Sequence, residues 1–144
     1  RFQSDVGVLA AQYAGGIQLR ILQGEVDINY GAVYENAVAQ ELVAHGISPY
    51  YYNNKKVGEL DFVIELNGET LPIEVKSGKN YTAHSALDKV LSCEAYSLPQ
   101  AVVFNNYNLH TVNRIVYAPV YMVMFLTETD PTPAYYKIDL SMLK

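Results

Sequence analysis

The chain has 144 residues, 50% of them hydrophobic and 17% charged, with a net charge of −5 and an isoelectric point near 5.1. That is enough apolar material for one globular domain with a real core, and too little charge for a disordered chain. It excludes a membrane span, because no apolar run approaches roughly 18 residues, and it argues against strong nonspecific nucleic-acid binding by this chain alone.

The richest apolar stretch, residues 116–126, is short and is interrupted by Pro119. One cysteine, Cys93, excludes an internal disulfide framework and a cysteine-based zinc site, and it fits a reducing cytoplasm. The chain opens on Arg1 with no initiator Met and no signal-peptide pattern, and so reads as part of a longer protein. Thirteen tyrosines stand against no tryptophan, a bias that strand propensity explains.

In chain order, residues 5–15 read as a short helix, with Ser4 as N-cap and Gly15-Gly16 as the stop. Residues 17–26 read as a second short helix or a connector. Residues 31–45 carry the strongest helix pattern, closed by Gly46. Tyr34, Ala37, Val38 and Leu42 mark its buried side. Glu35 lies at the edge of that stripe and Glu41 nearer its middle, so either can point at a sheet. Residues 47–52 form the next expected strand, with Asn53-Asn54 as a turn, then strands at 58–66 and 70–77. Residues 85–96 are amphipathic, with Leu87, Val90 and Leu91 inward. Residues 101–104 are a strand of the doubly buried kind. "FNNYNLHTVNR" is a hairpin connection or surface loop, and 114–117 is a further strand. Pro119 suits the first turn of a helix over 119–126, and 135–138 reads as an edge strand. The sum is an α/β fold, a mixed sheet flanked by helices in a core of order α-β-β-β-α-β. Residues 1–30 are a helical lead-in, 31–118 the core and 119–144 a C-terminal extension.

The stretch "GELDFVIELNGETLPIEVKSG" is the most informative in the chain. Asn67-Gly68 between two strand patterns predicts a two-residue type I′ hairpin. With those two residues in the loop, Leu66 faces Glu69, Val63 faces Pro72, Asp61 faces Glu74 and Glu59 faces Lys76. Alternation puts Leu60, Phe62, Ile64 and Leu66 on one side with Leu71, Ile73 and Val75, and Asp61, Glu74 and Lys76 on the other. Like charges directly opposed across a ladder are destabilising unless a positive group intervenes. Lys76 supplies part of that charge; a divalent cation would supply more. Two carboxylates beside a lysine suit Mg²⁺ or Mn²⁺, which prefer oxygen ligands and can activate water against a phosphoryl group. Exposed strands also alternate Glu with Lys simply to stay soluble and discourage edge pairing. "PIEVK", however, sets both charges in an otherwise buried run, and Glu65 is left as ordinary surface.

Gly31-x-x-x-Glu35, then Asp61, then Glu74-Val75-Lys76, resembles the PD-(D/E)XK phosphodiesterase superfamily. More narrowly, "YENAVAQEL", "GELDFVI" and "PIEVKSGK" resemble the C-terminal domain of a bacterial family of AAA-type ATPases. "SDVGVLAA" is similar to the segment that introduces that domain after the ATPase and a winged-helix region. The likeness covers most of the chain and weakens after about Leu126. It implies a restriction-endonuclease-like core. It also implies Asp61 and Glu74 as ligands of Mg²⁺ or Mn²⁺ with help from the Val75 carbonyl, Lys76 as the catalytic lysine and Glu35 as an auxiliary carboxylate. DNA is the implied substrate, and the absent ATPase and winged-helix regions are the implied partners. The Pro that usually precedes the Asp is replaced by Leu60. No G-x-x-x-x-G-K-[ST] loop exists, so this chain has no Walker-type ATP site. Two readings compete: a metal-dependent nuclease-like domain, and a catalytically silent binding or regulatory module of the same fold. His45, His84 and His110 lack metal-ligand spacing, Cys93 reads as a small buried residue, and Lys79 and Lys89 flank the proposed site, placed to touch phosphate but by default solvated.

Overall fold

The computed structural model describes residues 2–3, 5–12, 15–23 and 30–129. Helix α1 (Val6–Ala11) is capped by Asp5, whose side chain accepts the Val8 N–H at 3.0 Å. Ser4, the expected cap, lies outside the described residues. Gly15 and Gly16 do not stop a helix but open the next, α2 (Gly15–Leu22), so the lead-in breaks earlier than its glycines suggest.

Helix α3 (Gly31–Ala44) buries Asn36, Val38, Ala39 and Leu42. It ends in a Schellman motif: Gly46 N–H bonds to Val43 C=O at 3.0 Å and Ile47 N–H to Leu42 C=O at 2.9 Å. Ile47 therefore belongs to the helix cap and its apolar contact, and strand β1 (Tyr50–Asn54) begins later than expected. Asn53 and Asn54 end that strand, and Asn54 Oδ1 shapes the following turn by accepting the Lys56 N–H at 2.9 Å.

Strands β2 (Gly58–Leu66) and β3 (Glu69–Val75) form the predicted hairpin. Its register is the expected one, with Leu66 opposite Glu69 and Val63 opposite Pro72. Asn67 and Gly68 both have positive φ, 54° and 79°, as a type I′ turn demands. Gly58 at φ +116° is a glycine for a second reason: a Cβ there would stand 3.0 Å from the Ala86 Cβ of helix α4 (Ser85–Ser92).

Three further strands, β4 (Ala101–Asn105), β5 (His110–Val112) and β6 (Ile115–Pro119), complete a six-stranded mixed sheet of order β1-β2-β3-β4-β6-β5. β1, β2 and β3 pair antiparallel; β4 pairs parallel to both β3 and β6; β5 turns back on β6. Of the two readings of residues 104–114, the hairpin connection holds for its second half, which turns at Asn113-Arg114. The residues after β6 form a 3₁₀ segment, Val120–Phe125, rather than an α-helix. The expected strand at 135–138 lies outside the described residues.

Two apolar layers sandwich the sheet. One joins Val38, Ala39 and Leu42 of α3 to Phe62, Ile64, Ile73, Val75, Val102 and Phe104. The other joins Leu87, Val90 and Leu91 of α4 to Leu60, Ala101, Val103, Ile115 and Tyr117. Cover on both faces explains why β4 is apolar at successive positions. His84, just ahead of α4, and Tyr117 of β6 tie the second layer together, with Nε2 and Oη 2.6 Å apart. Among the described residues no helix is long and apolar enough to cross a membrane.

The turn is the local determinant of register. Gly68→Val places a β-branched side chain at φ 79° and is expected to destabilise the protein by about 1–2 kcal/mol. Urea unfolding that leaves the variant as stable as the wild type would overturn the type I′ assignment.

Candidate active site

Leu60 departs from the expected faces. Between the pairs Tyr50–Val63 and Tyr52–Leu60, β1 advances two residues while β2 advances three. This β-bulge contains Asp61 and Phe62. It breaks the alternation, so Leu60 packs against α4 whereas Phe62 packs against α3. Bulges re-aim side chains and end regular pairing. Both happen here, since the recorded β2–β3 ladder stops at Phe62–Ile73.

Beyond that point a side chain replaces the ladder. Asp61 Oδ2 accepts the Val75 N–H at 2.7 Å. Val75 thus contributes its amide to the site. The Lys76 N–H turns the other way and bonds to Phe104 C=O at 2.8 Å, continuing the pairing with β4. The ammonium of Lys76 sits 2.6 Å from Glu74 Oε1. Glu59, expected opposite Lys76, lies beyond the last β2–β3 pair and pairs with Asn53 of β1, where its charge acts on the Tyr51 phenol.

Glu74 is 7% exposed, and its second oxygen, Oε2, is buried without a hydrogen-bond partner. A buried carboxylate oxygen left open is a costly arrangement. Asp61 is pushed up to about 7, first by burial and then by the charge of Glu74; the Val75 N–H opposes the rise and Glu35 adds to it. The Glu35 carboxyl is also raised, by burial first and then by Glu74, with Lys76 pulling it down. Glu35, Asp61, Glu74 and Lys76 therefore form one electrostatic unit at the end of the β2–β3 hairpin. Glu41 does not join it. It lies 3.3 Å from His45 in an i,i+4 pair near the end of α3.

Residues 30–122 match the profile of a family described as a domain of unknown function, DUF4143. The chain belongs to the DUF4143 family. No curated protein and no solved structure matches it. The matched span runs from the residue before α3 into the 3₁₀ segment after β6, so all four clustered residues belong to the DUF4143 domain itself.

The donor chemistry of the centre is hard: carboxylate oxygens, one of them open, and a balancing ammonium. Hard divalent cations need only one or two carboxylates, the remaining positions going to water and phosphate. Asp61 and Glu74 fit that requirement. As the side chains lie, no group of three His, Cys, Asp or Glu residues able to hold a metal occurs among the described residues. Sequence reasoning missed Asn36 and Tyr51, two residues that line a cavity with Glu35. The first is a buried polar residue inside a helical stripe, and the second was read only as strand propensity.

The raised Asp61 fixes a sign. The unfolded chain releases this proton near pH 4, roughly the ordinary carboxylate value, while the folded chain holds it to about 7. The folded state therefore binds more protons in that window, and stability falls as pH rises through it. Asp61→Asn keeps a side-chain acceptor for Val75 and removes the repulsion. It is expected to stabilise the metal-free protein at pH 8 by roughly 1–3 kcal/mol and to flatten its stability between about pH 4 and 7. Thermal unfolding across that range decides the matter; identical pH profiles for variant and wild type would refute the assignment.

Proposed function

We propose that the DUF4143 domain hydrolyses phosphodiester bonds of DNA, using Mg²⁺ or Mn²⁺ held by Asp61 and Glu74. The observation that carries this reading is the unpartnered, buried Oε2 of Glu74 beside an Asp61 pushed up to about 7. The fold holds two carboxylates against each other, at a free-energy cost that a bound cation would relieve. The succession α3-β1-β2-β3-α4-β4, with three antiparallel strands and a fourth parallel to the third, supports a restriction-endonuclease-like core. Asp61, Glu74 and Lys76 lie at the end of the hairpin, and Glu35 on α3.

When bound, the cation would lower the pKa of a coordinated water and neutralise charge on a phosphoryl oxygen. Asp61 must lose its proton to serve as ligand, so the site favours activity above about pH 7. Glu74 orients the Lys76 ammonium through Oε1, leaving Oε2 for the cation. From that position Lys76 can orient the attacking water or meet the negative charge building on the phosphoryl oxygens. Glu35, partly buried and raised, can accept a proton or a hydrogen bond from the water.

The net charge of −5 favours a second reading, a silent binding or regulatory module of the same fold. In the first reading, the grip on DNA comes from elsewhere in a longer protein, such as an ATPase with a winged-helix region. Incubation with single-stranded and duplex DNA separates the two. Wild type is expected to cleave in Mg²⁺ or Mn²⁺ and not in EDTA, with a rate rising through about pH 7. Lys76→Ala and Asp61→Asn are each expected to lose about 100-fold or more. Equal background cleavage by wild type and both variants would leave the silent module. A thermal shift with Mg²⁺ or Mn²⁺ gives a readout independent of turnover: wild type should be stabilised and Asp61→Asn should not.

A further inference from the structure

Tyr51 is 62% exposed on the edge strand β1, opposite the bulge that carries Asp61. Together with Ala32, Glu35 and Asn36 of α3 and with Phe2 and Leu9 of the lead-in, it lines a cavity of about 460 Å³. That volume lies within the roughly 300–1,000 Å³ of small-ligand sites. Glu35 belongs to both places. It lines this cavity and feels the charges of Glu74 and Lys76, so the cavity adjoins the acidic centre.

The lining divides by chemistry. Tyr51 and Phe2 provide aromatic rings, and Leu9 and Ala32 provide aliphatic surface. Asn36 is the unusual member. It is 2% exposed, and its Oδ1 accepts the Gln3 N–H at 2.6 Å, which fixes the orientation of the amide. Its Nδ2 is left buried with no hydrogen-bond partner. A wall that carries the Glu35 carboxyl and two aromatic rings, backed by the Asn36 amide, suits a flat ligand with apolar faces and polar edges.

We propose that this cavity receives an unpaired nucleobase of a single-stranded nucleic acid, whose adjoining phosphodiester lies at the Asp61–Glu74–Lys76 centre. The inference rests on the phosphodiesterase reading of that centre and specifies its substrate. A chain of net charge −5 draws little affinity from phosphates. Stacking of bases on aromatic side chains needs no net charge and tolerates any sequence. A base paired within a duplex has no free face to offer, so the duplex is excluded. A free mononucleotide shares the chemistry of the base but lacks the neighbouring strand.

Fluorescence anisotropy with a labelled single strand of about 12 nucleotides tests this, in EDTA, where the strand stays intact. The same strand as a duplex, an abasic version and a mononucleotide competitor complete the set. The single strand is expected to bind about ten-fold or more tighter than the duplex. Tyr51→Ala should lose about ten-fold for the intact strand and bind the abasic strand as wild type does, while Tyr51→Phe keeps its ring and its affinity. Equal affinity for single strand and duplex, or no effect of Tyr51→Ala, overturns the proposal. Displacement by mononucleotide at the oligonucleotide's own concentration would make the cavity a free-nucleotide site and overturns it too. These are binding constants and are separable from turnover. Selective binding without metal-dependent cleavage removes only the reading of the acidic centre, and cleavage with Tyr51-independent binding removes only the base site.

Discussion

The hydrogen bond from the Val75 N–H to Asp61 Oδ2, 2.7 Å long, is where regular strand pairing gives way to a cluster of charged side chains. In an uninterrupted antiparallel ladder that amide would be taken by the main chain of β2. The bulge at Asp61–Phe62 ends the pairing and leaves the amide to a carboxylate. One extra residue thereby releases β3 from β2 at its last residue, while β4 still holds β3 on the other side through Lys76 N–H and Phe104 C=O. The acidic centre occupies the resulting fork. Its position depends on two strands that stay parallel and two that stop pairing, not on any flexible loop.

The same fork accounts for the energetic imbalance at the site. β3 is buried from Leu71 to Val75, Glu74 included. Burial disfavours the ionised carboxyl, and a second carboxyl nearby disfavours it further. Lys76 compensates one oxygen of Glu74 and no more. A core built only for stability would place an apolar residue at position 74, since a buried ion pair seldom surpasses a hydrophobic pair of similar volume. The apolar layers on both faces absorb this penalty, as they do the glycine at 58 that lets α4 approach β2.

Legibility in the sequence followed the range of the interactions. The Asn67-Gly68 turn is local chemistry, and it sets the β2–β3 register without reference to the rest of the chain. The doubly buried β4 and the inward Leu87, Val90 and Leu91 of α4 were legible from periodicity for the same reason. The bulge was not legible, because it exists only in the pairing of β2 with β1, which no local pattern encodes. Its consequences were therefore missed together: Leu60 on the α4 side and Glu59 beside Tyr51 instead of Lys76. Helical projection left Glu35 and Glu41 as equals. The tertiary packing separates them, sending Glu41 to His45 and Glu35 to the acidic centre. Ile47 was misread as strand because an apolar residue after a helix-ending glycine serves a cap and a strand equally well in sequence.

An acidic centre in an acidic chain constrains any mode of binding. Glu35 feels the charges of Glu74 and Glu59, Asp61 those of Glu74 and Glu35, and Lys76 offsets both. A polyanion approaching this corner meets repulsion before it meets any ligand. That repulsion falls if a divalent cation binds first, and it is bypassed where the contact is made by uncharged groups. The aromatic and aliphatic wall beside Glu35 supplies such groups next to the charged centre. Charge and stacking are thus divided between two adjoining surfaces, joined through α3, whose Glu35 serves both and whose Asn36 is held in place by the lead-in at Gln3.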